Sequence, residues 1–190
     1  RSVWGERIMN ARVLNAVTGR LSLRPPQAES LSKLVRALEA APSLLGHEQD
    51  VAAILSTLKA EFPTLEDFER EFPSLCFALA TGVGKTRLMG AFISYLHLAH
   101  GINNFFVLAP NLTIYNKLIA DFTRNTSKYV FKGIAEFAQQ PPLIITGDNY
   151  DQTGAVVADQ PTGFAHDVRI NIFNISKINS EVRGGKEPRI

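Results

Sequence analysis

Lys85 and Thr86, adjacent in the string ALATGVGKT (Ala78–Thr86), are residues that can act on phosphate. Gly82 and Gly84 precede them, and glycine takes backbone angles closed to residues with a Cβ, so successive N–H groups of such a turn can gather on phosphate oxygens. A helix starting directly after the turn adds its positive dipole end. Lys85 is spaced to reach β and γ phosphates, and the Thr86 hydroxyl is placed to ligate Mg²⁺. A nucleoside triphosphate is the guest that fits this chemistry. The flanks supply what must position it: the apolar run Leu75, Cys76, Phe77 reads as a strand, and an amphipathic helical segment begins at Arg87.

Composition narrows the class without naming a ligand. A chain of 190 residues, 45% hydrophobic and 20% charged, is the size of one domain, and it fits neither a disordered nor a fibrous class. Lys plus Arg 20 against Asp plus Glu 18 leaves a net charge of +2, so any phosphate-binding surface must be local. A single cysteine, Cys76, excludes an internal disulfide; its apolar neighbours predict a buried thiol on a strand, and a reducing cytoplasm is the expected compartment. No apolar run approaches the roughly 18 residues that span a bilayer, and no signal-peptide pattern opens the chain, so no membrane partner is expected. Arg1 in place of methionine reads as a processed or excised segment.

The elements follow in order. Residues 1–22 form a weakly patterned, basic lead-in with Arg7, Arg12 and Arg20, and with Trp4 as an apolar anchor. After Pro25 and Pro26, Leu31, Leu34, Val35 and Leu38 recur at helical spacing and predict a helix of about four turns. Gln27, at its start, carries the donor and acceptor that an adenine edge requires, or is simply a surface amide. Residues 43–73 are acidic and predict a helical insertion in two pieces. One runs from about Glu48 to Glu61 with Val51, Ile54, Leu55 and Leu58 on one face; the other starts at Thr64 and includes Leu65, Phe68 and Phe72. Its carboxylates read as a solvated face.

Beyond the glycine turn, Leu88, Phe92, Ile93, Leu96 and Leu98 mark a helix that Gly101 caps. His97 and His100 fall three apart on it, a spacing open to a metal, but no further ligands accompany them and they read as surface or capping residues. Phe105–Ala109 is an apolar run suited to a covered parallel strand, and Thr113–Phe122 returns to helical spacing, with Thr113 as a candidate cap. Leu143–Thr146 predicts a short buried strand, Gly154–Gly163 an exposed loop or hairpin, and VRINIFNISKIN a last strand. Asn174, Ser176 and Lys177 follow at its C-terminal edge, where open α/β sheets keep their ligand sites, or form a solvated strand exit. The polar residues 181–190 read as a tail. Alternating strands and helices predict an α/β fold with a parallel sheet and helices on both faces.

Several strings together resemble superfamily 2 helicases and translocases. ATGVGKT is similar to the form their phosphate loop takes, although Leu79 stands where the strict GxxxxGK[ST] pattern has its first glycine. LRPPQ resembles their glutamine motif, with a second proline where an aromatic residue is often found. APNLTIY, with LIITGDNY and INIFNISKIN, resembles the helicase (restriction) subunit of type III restriction endonucleases over residues 23–180.

The resemblance implies a first RecA-like P-loop motor domain, incomplete here, that binds ATP and Mg²⁺ and acts on duplex DNA. It further implies a nuclease domain, a second motor domain and a modification (methyltransferase) subunit as partners. Under it Gln27, Thr81, Gly82, Val83, Gly84, Lys85, Thr86 and Arg87 bind nucleotide, Lys85 and Thr86 serve catalysis, and Thr86 holds the metal. Asn111, Thr113, Asn174 and Lys177 contact nucleic acid.

Such motors also use an acidic motif resembling DEAD or DEAH, and no such string occurs in this sequence. The isolated chain is therefore expected to bind nucleotide weakly and to hydrolyse it negligibly. Three alternatives remain open: a small-molecule kinase, a nucleic-acid-binding module without ATPase activity, and a motor of a sibling repair or phage-defence family.

Overall fold

A computed structural model describes residues 3–46, 50–149 and 168–175. They fall into two compact units, Arg1–Phe92 and Ile93–Ile190. The loop or hairpin expected at residues 154–163, the strand exit at Ser176 and Lys177, the 181–190 tail and the side chain of Trp4 lie outside the described residues.

In the first unit, the basic lead-in is a helix, α1 (Val3–Arg20). Its apolar residues do not form one stripe, since Val17 is buried while Ile8 and Met9 are exposed. Helix α2 (Pro25–Ala40) follows, with the two prolines inside its first turn, where a missing N–H costs nothing. Its buried stripe of Leu31, Leu34, Val35 and Leu38 matches the spacing read from the sequence. A short 3₁₀ turn, Pro42–Leu45, leads toward α3 (Val51–Glu61), whose N-cap Asp50 accepts a hydrogen bond from the Ala53 N–H at 3.0 Å.

Ala37 and Ala41 pack with Ile54 and Leu58 of α3 and with Phe68 to form a core, against which Leu65 and Leu75 also lie. Arg36 joins α2 to α3 outside that core: it donates to Glu61 Oε1 from Nε at 2.8 Å, and its guanidinium sits 5.1 Å from the centre of the Phe62 ring.

Two expectations for this unit need correction. The second helical piece does not form, and residues 62–74 are irregular. Pro63 and Pro73 bracket the stretch, Glu69 takes a positive φ of 52°, and Ser74 Oγ donates to the Phe68 carbonyl at 2.6 Å. The chain turns so that Phe68 is buried in the core while Phe72 is 60% exposed. Nor do residues 75–80 pair as a strand, and Cys76 is exposed. Burial there alternates, with Leu75, Phe77 and Leu79 turned partly inward and Cys76, Ala78 and Ala80 outward, so the thiol falls on the wet side of a two-residue period.

Helix α4 (Lys85–His100) starts in the first unit and ends in the second. Gly101 closes it at φ 67°, its N–H donating to the His97 carbonyl at 2.8 Å, as the sequence predicts. His97 belongs to this helix end: its Nδ1 lies 2.9 Å from the Asn103 side chain and its ring stacks on Phe137 at 5.4 Å. No group of three or more metal-ligating side chains occurs among the described residues.

The second unit is α/β. Strands β1 (Asn104–Ala109), β2 (Leu143–Thr146) and β3 (Arg169–Asn174) form a parallel sheet in the order β1-β3-β2. The register sets Phe105 beside Ile170 and Ala109 beside Asn174 on one side, and Leu143 beside Arg169 on the other. Helix α5 (Leu112–Phe122) packs on β1 and β3 and buries Tyr115, Leu118 and Phe122. A short helix, α6 (Ala135–Gln139), precedes β2 and buries Phe137 against Phe131, ring centres 4.9 Å apart.

Coverage of both sheet faces is not what the described residues of this unit display. Alternation along β1 buries Val107 and Ala109 but leaves Phe106 63% and Leu108 46% exposed, with Phe106 stacked on Phe173 at 5.3 Å.

Tyr129 yields a pH test of this unit. Its hydroxyl donates to the Phe137 carbonyl at 3.2 Å, and burial pushes the phenol up to about 12 from 10.0, against the pull of Arg124. The folded chain keeps this proton to higher pH than the unfolded chain does. Stability from this group is therefore complete below pH 10 and lost as the pH rises toward 12. Urea unfolding midpoints measured from about pH 9 to about pH 11 should fall more steeply for the wild type than for Tyr129→Phe.

Candidate functional site

The glycine turn is placed by three anchors, all within the first unit. On the incoming side Leu75 lies against the core and the Phe77 ring meets Phe92 of α4 at 4.9 Å. On the outgoing side Leu88 is buried, Gly84 accepts hydrogen bonds from the Arg87 and Leu88 N–H groups at 3.0 and 3.2 Å, and Arg87 Nη1 donates to the Leu21 carbonyl at 3.4 Å. Gly84 thus occupies the N-cap position of α4, and Lys85 is the first helical residue.

The third anchor is Gln27, only 2% exposed at the start of α2. Its Nε2 donates to the carbonyls of Val83 and Gly84, both at 2.9 Å, and its Oε1 accepts from the Arg24 N–H at 2.8 Å. In this structure the Gln27 amide, for which an adenine contact is implied, is turned to the carbonyls of the glycine turn.

Both glycines need their residue type. Gly82 sits at φ 82° and Gly84 at φ 91°, in the half of backbone space that L side chains rarely enter. Their surroundings differ. A Cβ at Gly82 would meet nothing within 4 Å, whereas one at Gly84 would lie 2.6 Å from Gln27 Nε2. Thr81, Gly82, Gly84, Lys85 and Arg87 are exposed, and Val83 and Thr86 partly so. An open turn with two positive φ values, a lysine and a threonine at the N-terminus of a 16-residue helix is a donor set that suits an anion, and one that suits a phosphate-bound Mg²⁺ through Thr86.

The other candidates lie in the second unit. Asn111 Oδ1 accepts from the Ile114 N–H at 2.9 Å, so Asn111 is the N-cap of α5 and the exposed Thr113 is not. Asn174, the last residue of β3, is 5% exposed and stands in register with Ala109, which precedes Asn111 by two positions. The parallel register therefore gathers Asn111, Thr113 and Asn174 at the C-terminal edge of the sheet, where α/β folds bind ligands.

Sequence reading did not find the Asn149 side chain, which closes the β2 end by accepting from the Thr146 N–H at 2.7 Å and donating to the Ile144 carbonyl at 3.2 Å. Its signal was the Gly-Asp-Asn turn itself. An open groove of about 470 Å³ runs beside it, lined in part by Thr123, Arg124 and Asp148, and it includes none of the candidate residues.

Gly82→Ala should cost about 1–2 kcal/mol in urea unfolding, the strain of a side chain at positive φ. Gly84→Ala should cost clearly more, because Gln27 can yield to the new Cβ only by giving up its hydrogen bonds. At the sheet edge, Asn111→Ala should lose about 1 kcal/mol of stability with the cap. Asn111→Asp keeps the capping oxygen and should hold wild-type stability, yet it should weaken DNA binding if Asn111 contacts phosphate, which a salt-controlled binding titration reads.

Comparison with curated proteins and with solved structures gave no match. Residues 20–189 match the family described as type III restriction enzyme, res subunit. That stretch includes α2, the glycine turn and the whole parallel sheet, leaving only the first 19 residues and Ile190 outside it. The chain belongs to the family of type III restriction enzyme res subunits.

Proposed function

We propose that this chain carries the nucleotide-binding region of an ATP-driven DNA translocase within a type III restriction enzyme. The single observation that carries the reading is the turn at 81–84. Two glycines at positive φ open into the N-terminus of α4, with Lys85 and Thr86 directly after them, inside a stretch that matches the res-subunit family.

The roles follow from chemistry. Lys85 supplies a positive charge that favours the β and γ phosphates of ATP over those of a diphosphate, and the loop amides with the helix dipole hold the chain of phosphates in place. Thr86 offers the hydroxyl that holds Mg²⁺, whose charge offsets that of the phosphate oxygens when bound. At the C-terminal edge of the sheet, Thr113 and Asn174 are candidates to donate to a DNA backbone, with Asn111 beside them and Lys177 following. Duplex DNA is the proposed track, and a modification subunit with further motor and nuclease elements are the proposed partners.

Phosphoryl transfer relies on positioned charge more than on covalent chemistry. The sequence holds no DEAD-like or DEAH-like string to position an attacking water, so this chain by itself should bind ATP weakly and turn it over negligibly. Equilibrium binding of a fluorescent ATP analogue should detect an interaction that Lys85→Ala reduces by at least about tenfold. Turnover measured on the same two samples should be near background for both. A robust Lys85-dependent rate would show that catalysis needs no further acidic group, and equal binding by both proteins would remove the phosphate-loop reading.

A further inference from the structure

Strand β2 ends the sheet, and among the described residues it pairs with β3 alone. An edge strand presents backbone donors and acceptors on which another chain can pair. The Leu143 N–H donates to the Val168 carbonyl at 2.9 Å, so by the alternation of a parallel ladder Ile144 and Thr146 turn their backbone groups away from β3. A parallel strand laid on that side would bring one residue whose N–H meets the Ile144 carbonyl and whose carbonyl meets the Thr146 N–H.

Asn149 supplies both from its side chain, which carries the same donor and acceptor as a peptide group. Its Nδ2 donates to the Ile144 carbonyl at 3.2 Å, and its Oδ1 accepts from the Thr146 N–H at 2.7 Å. Its own N–H donates to the Thr146 carbonyl at 3.2 Å. The bonds to Thr146 would suffice to close a turn, but the bond to Ile144 reaches five positions back into the strand. At the other end of β2, Pro141 and Pro142 have no N–H to offer an incoming chain. Bulk does not protect this edge, since Ile144 and Thr146 line the open groove of about 470 Å³.

We infer that Asn149 closes the sheet: its carboxamide takes the place of a neighbouring strand on β2 and keeps a second copy of this chain from pairing there. The segment Leu143–Thr146, LIIT, is uncharged and rich in β-branched residues, which suits it to pair with itself once its edge is open. A twofold axis would then set one β2 antiparallel to the other. The inference concerns the second unit only and is independent of nucleotide binding.

The test compares the whole chain as wild type, Asn149→Ala, and Asn149→Ala combined with Ile144→Pro, by sedimentation velocity over a concentration series. Proline at 144 removes an outward N–H and leaves the Leu143 bond to β3 in place. Asn149→Ala should self-associate with a dissociation constant at least about tenfold below that of the wild type, and the added proline should return it to within about twofold. Asn149→Ala as monomeric as the wild type would overturn the inference, as would association that the proline leaves unchanged.

Hydrogen exchange on the wild type needs no variant to fold. The Thr146 amide should exchange at least about tenfold more slowly than the amide of exposed Gly147, and equal rates would overturn the inference. In dilute Asn149→Ala the Thr146 amide should lose that protection while the Leu143 amide, bonded to β3, keeps its own.

Discussion

The first unit depends on how a turn with two glycines at positive φ can be held in place without leaving its own carbonyls unpaired. Buried or half-buried backbone oxygens that lack a donor cost free energy comparable to a lost hydrogen bond, about 1–3 kcal/mol each. The Val83 carbonyl avoids this through one side chain, Gln27, which also bonds the Gly84 carbonyl already held by the Arg87 and Leu88 N–H groups, and which is itself buried and bound at its other end to Arg24 N–H. Glycine at 84 is then required twice over, for its φ of 91° and for the space the amide fills. The two requirements are independent in origin and meet at one residue.

In the second unit the organising constraint is the parallel register. Parallel strands present their C-terminal ends on one edge, and pairing Ala109 with Asn174 brings the residues after β1 and the end of β3 to that edge together. Side chains finish what the ladder starts. Asn171 Nδ2 donates to the Phe105 carbonyl at 3.0 Å, and Asn149 satisfies two backbone groups where β2 ends. Asp121, buried on α5, is neutralised by Lys117 one helical turn earlier.

What the sequence disclosed, and what it withheld, divides along local and tertiary lines. Helices α2, α3 and α4 and the strand β1 are written in apolar periodicity, and Gly101 marks the end of α4 with a residue whose local chemistry suffices. The stretch after Thr64 has the same surface grammar, a cap followed by acids, but Phe68 packs into the core of α2 and α3, and that contact outweighs a weak helical preference between two prolines. Cys76 was misplaced because an apolar run reads as buried on both sides, while the folded chain buries only alternate residues of it. Helix α1 was missed for the opposite reason, its apolar residues forming no stripe to detect. The glycine turn itself was legible because its two positive-φ positions are marked by their own residue type. The direction of the Gln27 amide was not, since nothing in LRPPQ says whether it faces a ligand or the loop.

That last difference bears on how the site is built. Gln27 is at the third position of α2, and the same helix packs through Ala37 against Ile54 and Leu58 of α3 and against Phe68. The chain leaving that core reaches the turn through Leu75, which lies against the same cluster. Both the donor that shapes the loop and the segment that delivers the loop are therefore fixed by one small apolar core. Residues 43–73 accordingly do more than separate Gln27 from Lys85: α3 and Phe68 hold α2 and the approach to the turn in register with each other. A family match locates such a chain among its relatives, but the shape of the turn comes from this arrangement, in which core packing, a buried amide and two glycines each supply a part that the others cannot.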